Sequence, residues 1–245
     1  MTVRTLTALP VYNEASHIQA VLTEVGKYCQ DILVVDDGST DDTIDHVRDW
    51  TDIQVVRHEQ NRGYGAALSS AFAYALEQKY DVLVTIDCDG QHEPRLIPEM
   101  SHRIAPDGHL EFDMVSGSRY LISQADDTRP PADRKRINFA ITEMLNERLQ
   151  WKLTDAFCGF KAYRVASLSG LQITETGYAM PLQLWVQAKR LQWEIVEFPV
   201  PLVYLDESRS FGGSLDDADH RMAYYREVFE REWEANHLGC GETSR

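Results

Sequence analysis

What this 245-residue chain lacks narrows it first. No apolar stretch approaches the roughly 18 residues that span a bilayer, and the opening MTVRTLTALPVYNE has no charged segment leading into a long apolar one. Neither a membrane span nor a secretion signal is therefore expected. Positive charge is scarce, with 24 Lys and Arg against 39 Asp and Glu and a formal net charge of −15. That balance argues against nucleic acid as a partner and against electrostatic docking on an anionic membrane. The four cysteines, Cys29, Cys88, Cys158 and Cys240, are scattered without metal-type spacing and read as reduced thiols of a cytoplasmic protein. There is no internal repeat, and no linker is sharp enough to divide domains. We expect one domain over residues 1–237 and a disordered tail over 238–245.

What is present is an alternation. RTLTALPVY, DILVVDD, IQVVRH, YDVLVTID and FDMVSGSRY read as strands. Between them Ile18, Val21, Leu22 and Val25, and later Leu68, Phe72, Ala75 and Leu76, recur at helical spacing. Strands alternating with helices imply a mostly parallel central sheet covered on both faces, an α/β fold of the doubly wound kind. The second half is less regular. LISQADDTRPPADRKR reads as a polar loop, Ile137 to Leu149 as a helix, and FCGFKAYRV as a strand or turn. MPLQLWVQAKRL reads as a helix, and WEIVEFPVPLVYL as a strand whose prolines suit a sheet edge. Met222, Tyr225, Phe229 and Trp233 mark a closing helix.

Open α/β sheets bind ligands at the carboxyl ends of their strands. Four polar clusters fall there: PVYNE (10–14), DDGST (36–40), DCDGQH (87–92) and GSRY (117–120). Any one of them could be turn chemistry; their convergence on one edge points to a site. In DCDGQH two carboxylates lie one residue apart at the end of a buried strand, where they repel unless a divalent cation, basic side chains or solvent separates them. Carboxylate and amide oxygens suit magnesium or manganese and leave room for substrate phosphates. NRGYG (61–65) has a Gly-x-Gly, but neither the third spaced glycine of a dinucleotide fingerprint nor the lysine of a P-loop. It fits close approach of the backbone to a ligand or tight helix packing equally. Arg129, Arg134, Lys135 and Arg136 gather positive charge in an acidic chain. They are either a solvated helix start, which opposes the helix dipole, or a site for an anion.

Taken in order, these residues resemble the inverting family-2 glycosyltransferases of GT-A fold, and within them the dolichyl (polyprenyl) phosphate mannose and glucose synthases. Pro10, Tyr12, Asn13 and Glu14 match the family's Pro-x-Tyr-Asn-Glu, and Val35 to Ser39 its Val-Asp-Asp-Gly-Ser. Asn61 to Ala66, Asp87 to His92 and Gly117 to Tyr120 match further motifs, as do Asp155, Gly159, Phe160 and Arg164 and the stretch Arg209 to Ser214. The resemblance implies a hexosyltransferase using a GDP- or UDP-linked sugar, with Mg2+ or Mn2+. Pro10, Tyr12, Glu14 and Asp37 would hold base and ribose. Asp87, Asp89 and Gln91 would hold the metal on the diphosphate. Arg119 and Arg134 would receive the acceptor phosphate or stabilise charge near the transferring sugar, with Asp89 at the chemical centre.

The departures lie on the acceptor side. Asn138 stands where the family has serine, Cys158 replaces the serine of Ser-Gly-Phe, Gln183 stands where relatives often have an acid, and Leu215 replaces a lysine. RSFGGSLDDADHR is acidic where basic residues facing a lipid phosphate would be expected. The leading expectation is sugar transfer to a polyprenyl phosphate, with the chain cytoplasmic and peripheral to the membrane through a partner subunit. Transfer to a small soluble or glycan hydroxyl is the first rival, and Asp155 is the candidate general base it would require. A sugar-nucleotide-binding subunit without turnover is the second rival, and a Rossmann oxidoreductase the third.

Overall fold

The structure is a computed structural model describing residues 3–123, 127–128, 130–204 and 213–237. Its strands are β1 (Thr5–Val11), β2 (Asp31–Asp36), β3 (Ile53–Arg57), β4 (Val82–Thr85), β5 (Met114–Ser118), β6 (Lys161–Arg164) and β7 (Ile195–Pro199). Its helices are α1 (Ile18–Val25), α2 (Thr43–Val47), α3 (Tyr64–Glu77), α4 (Ile97–Ile104), α5 (Ala132–Leu149), α6 (Val165–Leu168), α7 (Met180–Arg190) and α8 (Ala218–His237). The strands form one sheet in the order β3-β2-β1-β4-β6-β5-β7.

β1 is buried from Leu6 onward on both faces and apolar there except for Thr7, as a central parallel strand requires. Its side chains alternate: Leu6 and Ala8 join a core under α3, α5, α6, α7 and α8, while Leu9 and Val11 join a second core under α1, α2 and α4. β1 pairs in parallel with β2 and β4, β2 with β3, and β5 with β7. The sheet is mostly parallel, as expected, and β7 with Pro199 lies at its edge.

One strand runs against the others. β6 is antiparallel to both β4 and β5, with Lys161 in register with Thr85 on one side and Ser116 on the other. Its reversal carries the residues that precede it, 155–160, to the carboxyl ends of the parallel strands. A composition rich in turn and aromatic residues gave no sign of that direction.

α5 also begins earlier than expected. The loop read over residues 121–136 gives way to helix at Ala132, directly after Pro130 and Pro131. Ala, Arg and Lys are good helix formers and Asp133 sits favourably in the first turn, so polarity alone was a poor guide to this boundary. Residues 124–126, Arg129, most of the Arg209–Ser214 motif and the 238–245 tail lie outside the described residues.

α7 is buried from Met180 through Ala188 and forms the centre of its core, with Trp185 Nε1 donating to the Ala156 carbonyl at 2.9 Å. α8 closes over it. Gln183 and Gln187 donate to Glu232 at 2.7 and 2.8 Å, so the buried amides meet a carboxylate and none of that chemistry is wasted. Phe229 on α8 is fully buried. Phe229→Ala should lower the unfolding free energy by about 3–5 kcal/mol. In urea denaturation this would show as a lower midpoint at unchanged slope; an unmoved midpoint would mean that α8 is not part of the cooperative core.

Candidate active site

The polar strand ends are built into one another. Asn13, after β1, takes a left-handed φ of 57° that asparagine tolerates better than most residues. Its backbone N–H donates to Ser39 Oγ at 2.9 Å, and its Oδ1 accepts from the Thr40 N–H at 2.9 Å. Glu14 is buried beside it, its N–H donating to Thr43 Oγ1 at 2.8 Å. PVYNE and DDGST are thereby a single unit. Asp37, at the end of β2, accepts from the Gly63 N–H at 2.7 Å and the Arg62 N–H at 2.9 Å, and lies 2.6 Å from His58 Nδ1. Both of its oxygens are engaged with protein.

The Gly-x-Gly of NRGYG serves packing. A Cβ on Gly63, at φ +102°, would stand 2.4 Å from the Thr176 carbonyl oxygen, and one on Gly65 2.5 Å from that of Glu175. α3 thus starts hard against the 174–178 loop, which the sequence left open against ligand approach. Tyr64 between the glycines stacks on Tyr178 with ring centroids 5.8 Å apart.

Tyr64 also donates its hydroxyl to Asp87 Oδ1 at 3.1 Å. Burial first, then the neighbouring carboxylate, pushes that phenol well above its usual range, so it stays a donor. The other Asp87 oxygen faces His92 Nε2 at 3.4 Å and packs on Gly159, where a Cβ would stand 2.3 Å away. Asp89 accepts from the Gln91 backbone and side-chain amides, both at 3.0 Å. Among the described residues no group of three or more His, Cys, Asp or Glu side chains is arranged to hold a metal by itself. Two carboxylates and an amide oxygen nevertheless fit a hard divalent ion that takes its remaining ligands from a diphosphate.

The far side is cationic. Arg119, after β5, forms a two-pronged pair with Asp155, Nε to Oδ2 at 2.7 Å and Nη2 to Oδ1 at 3.0 Å. Asn138 donates to Asp155 Oδ1 at 2.7 Å, and the Phe157 N–H does so at 3.1 Å. Burial alone would raise the Asp155 pKa, but the Arg119 charge and these bonds outweigh it and bring the group to about 2. Burial likewise opposes the Arg119 charge, and Asp155 overcomes it, leaving the guanidinium pKa raised. Asp155 is therefore an anchor for Arg119. The general-base role considered from the sequence is corrected: both oxygens are filled by hydrogen bonds, the group is fully buried, and a carboxylate with a pKa of about 2 is too weak a base to take a proton from a hydroxyl.

Pro10, Tyr12, Glu14, Asp37, Asp87, Asp89, Gln91, Arg119 and Arg134 all line one cavity of about 480 Å³. The basic cluster divides: Arg134 lines the cavity while Lys135 and Arg136 are exposed outside it. Sequence reasoning missed Arg221, which is buried in the cavity wall and donates to Asp133 at 2.6 Å and to the Leu215 carbonyl at 2.6 Å. It also missed Tyr64, Tyr120, Tyr178 and Tyr204 as wall residues. The arginine in RSFGGSLDDADHR, four residues before a core tyrosine on an otherwise acidic helix start, was the available signal.

The family model described as Glycosyl transferase family 2 matches residues 7–171, and the chain belongs to that family of sugar-transferring enzymes. It is 32% identical over 230 residues to an undecaprenyl-phosphate mannosyltransferase of Micrococcus luteus, covering 88% of this chain and 90% of that protein. It is 28% identical over 236 residues to a polyprenol monophosphomannose synthase of Mycolicibacterium smegmatis, covering 91% and 86%. Glucosyl-3-phosphoglycerate synthase from Mycobacterium tuberculosis, solved with Mn2+, uridine-diphosphate-glucose and phosphoglyceric acid, matches with a TM-score of 0.69 at 20% identity. That match covers 96% of this chain and 79% of the other, and it confirms the GT-A fold.

The Arg119–Asp155 pair yields a pH test. Asp155 sits near 3.9 in an unfolded chain and at about 2 in the fold, so its ionisation stabilises the fold above about pH 4 and that stabilisation is lost as pH falls toward 2. Asp155→Asn leaves the Arg119 charge buried without its counter-charge, and should cost about 3–5 kcal/mol at pH 7. Urea titrations of both proteins at pH 7 and pH 3 should show the gap narrowing at pH 3; a gap independent of pH would contradict the assignment.

Proposed function

We propose that residues 1–237 act as one catalytic domain transferring a hexose, with inversion, from a nucleotide-diphosphate sugar to a polyprenyl phosphate. The observation that carries this reading is the division of charge within one cavity. Its carboxylates come from the β2-β1-β4 part of the sheet, whereas Arg119, Arg134 and Arg221 come from β5, α5 and α8. A cavity arranged this way is suited to two anions of different kinds. The names of the two mannosyl-transferring relatives support the acceptor class.

Pro10, Tyr12 and Glu14 hold the base and ribose, and Asp37 does its part by fixing the Arg62–Gly63 backbone at the nucleotide edge. Asp87 and Asp89, with the Gln91 amide oxygen, would hold magnesium or manganese. When bound, the ion supplies Lewis-acid neutralisation of the departing diphosphate. Tyr64 and Gln91 orient the two carboxylates. Arg119 and Arg134 receive the acceptor phosphate, with Arg221 behind them, and so hold the attacking oxygen in the cavity.

A phosphate acceptor is ionised at neutral pH and requires no general base, whereas a hydroxyl does. The site favours the phosphate. Asp155 is committed to Arg119, and at position 183 there is an amide buried against Glu232 and the 174–175 backbone.

With manganese, labelled guanosine- or uridine-diphospho-hexose and a detergent-solubilised polyprenyl phosphate, label should move into organic solvent. Asp89→Asn should reduce kcat by about a hundredfold or more. Label that stays in the aqueous phase on a soluble sugar would replace the lipid acceptor by a hydroxyl one, and an active Asp89→Asn enzyme would remove Asp89 from its role.

A further inference from the structure

Exposed apolar side chains collect beside the cavity mouth. Among the described residues the large ones include Tyr28, Val55 on strand β3 at the sheet edge away from β5, and Leu121, Ile122 and Phe139 around Tyr120. Ile122 is the most exposed of them at 56%. The group is continuous with the cavity. Tyr120 lines the cavity, its ring lies 4.9 Å from that of Phe139, and Leu121 and Ile122 follow it directly in the chain.

The charges beside this group include two of the chain's minority sign. Lys135 is exposed with its ammonium 5.6 Å from the Phe139 ring, and Arg136 is exposed next to it, 3.5 Å from the exposed carboxylate of Asp219. Further along α5 the exposed charged residues are Glu143, Glu147 and Arg148, the last paired with Glu230 at 3.2 Å. Lysine and arginine in a first helical turn oppose the helix dipole, a conflict that a bound anionic surface would relieve.

We propose that Leu121, Ile122 and Phe139, with Lys135 and Arg136, form a surface that docks the enzyme on an anionic lipid bilayer with the cavity mouth facing the headgroups. The proposal rests on the reading of the acceptor as a membrane-borne phosphate. Three features select a bilayer as the occupant. Apolar side chains fringed by Lys and Arg are the composition of an interfacial contact. The patch opens onto the arginine side of the cavity, where a lipid phosphate would have to enter. And no helix among the described residues is long and apolar enough to cross a membrane, so contact here would be at the surface. The net charge of −15 then acts as an orienting device. Anionic lipid repels the acidic chain as a whole, while Lys135 gives this patch a local attraction. The exclusion of membrane docking drawn from net charge holds for the chain as a whole and not for this patch.

The full chain, without donor or acceptor, is sedimented with vesicles of phosphatidylcholine alone and with vesicles containing about 30% phosphatidylglycerol. Binding should be stronger to the anionic vesicles and weaken in high salt. Lys135→Glu should lower partition to anionic vesicles at least about fivefold, since each basic residue near such a surface is worth roughly that factor. The double change Ile122→Ser with Phe139→Ser should lower it about tenfold or more. Both variants should keep the wild-type thermal midpoint and the wild-type kcat on detergent-solubilised acceptor. A wild-type chain that pellets with neither vesicle, or a double variant that binds as well as wild type, overturns the docking surface. Transfer without vesicle binding defeats the patch alone, and vesicle binding without transfer defeats the acceptor assignment alone.

Discussion

The site is organised around a carboxylate that does not line the cavity. Asp155 is fully buried and takes hydrogen bonds from Arg119, Asn138 and the Phe157 backbone, while its own N–H donates to Glu197 at 3.1 Å. Through one side chain and one amide it joins the end of β5, the first half of α5, the approach to β6, and β7. A buried ion pair of this kind contributes little net stability, because desolvation of two charges offsets their attraction. What it secures is position. A guanidinium gripped along two N–H edges cannot swing, and the donors it does not spend on Asp155 stay aimed from a fixed place. The reversed strand β6 makes this possible, since a parallel β6 would carry Asp155 to the opposite end of the sheet.

The same reversal serves the carboxylate side. Gly159, four residues after Asp155, is where Asp87 packs, and no side chain larger than hydrogen fits between them. One short segment therefore presents a bare backbone to an acidic residue at one end and a buried anion to an arginine at the other. The two halves of the cavity are coupled by a few residues of chain. In the proposed reading an acidic protein would handle anions here by confining its cations to one wall and fixing them there, so that the local field counts and the net charge does not.

Much of this was legible in the sequence where the cause was local. Strand ends marked by PVYNE, DDGST, DCDGQH and GSRY were found because a buried apolar run must stop before polar residues begin, and the topology of parallel sheets does the rest. What stayed hidden depended on partners far away in the chain. Gly63 and Gly65 are required by the Glu175–Thr176 backbone. Tyr64 finds Asp87 across the cavity, and Arg221 reaches it from the closing helix. Apart from the four-residue step from Arg221 to Tyr225, these contacts leave no spacing to detect. Asp155 was found and given the wrong work, since a sequence shows a carboxylate but not what fills its lone pairs. The start of α5 was misplaced because the polarity of Ala132 to Arg136 was weighed above its helix propensity.

The departures from the family pattern also change meaning once they are placed. Asn138, in the position of a serine, supplies an amide donor to Asp155 and accepts from Thr142, whose hydroxyl in turn receives the Ala156 N–H. Cys158 is buried against the space beside Gly117, and burial pushes its thiol up to about 11, so it packs and does not react. Gln183 joins the amide and carboxylate network between α7 and α8. Leu215 contributes a backbone carbonyl to Arg221, which needs no particular side chain there. Asn138, Cys158 and Gln183 are absorbed into the support of an arginine or of the core; Leu215 forgoes a lysine, and Arg119, Arg134 and Arg221 still line the cavity. An acceptor side rebuilt in this way still presents Arg119, Arg134 and Arg221 together. Under the proposed reading, these three arginines are the groups that would hold an anionic acceptor, and the residues that brace them are the ones that have changed.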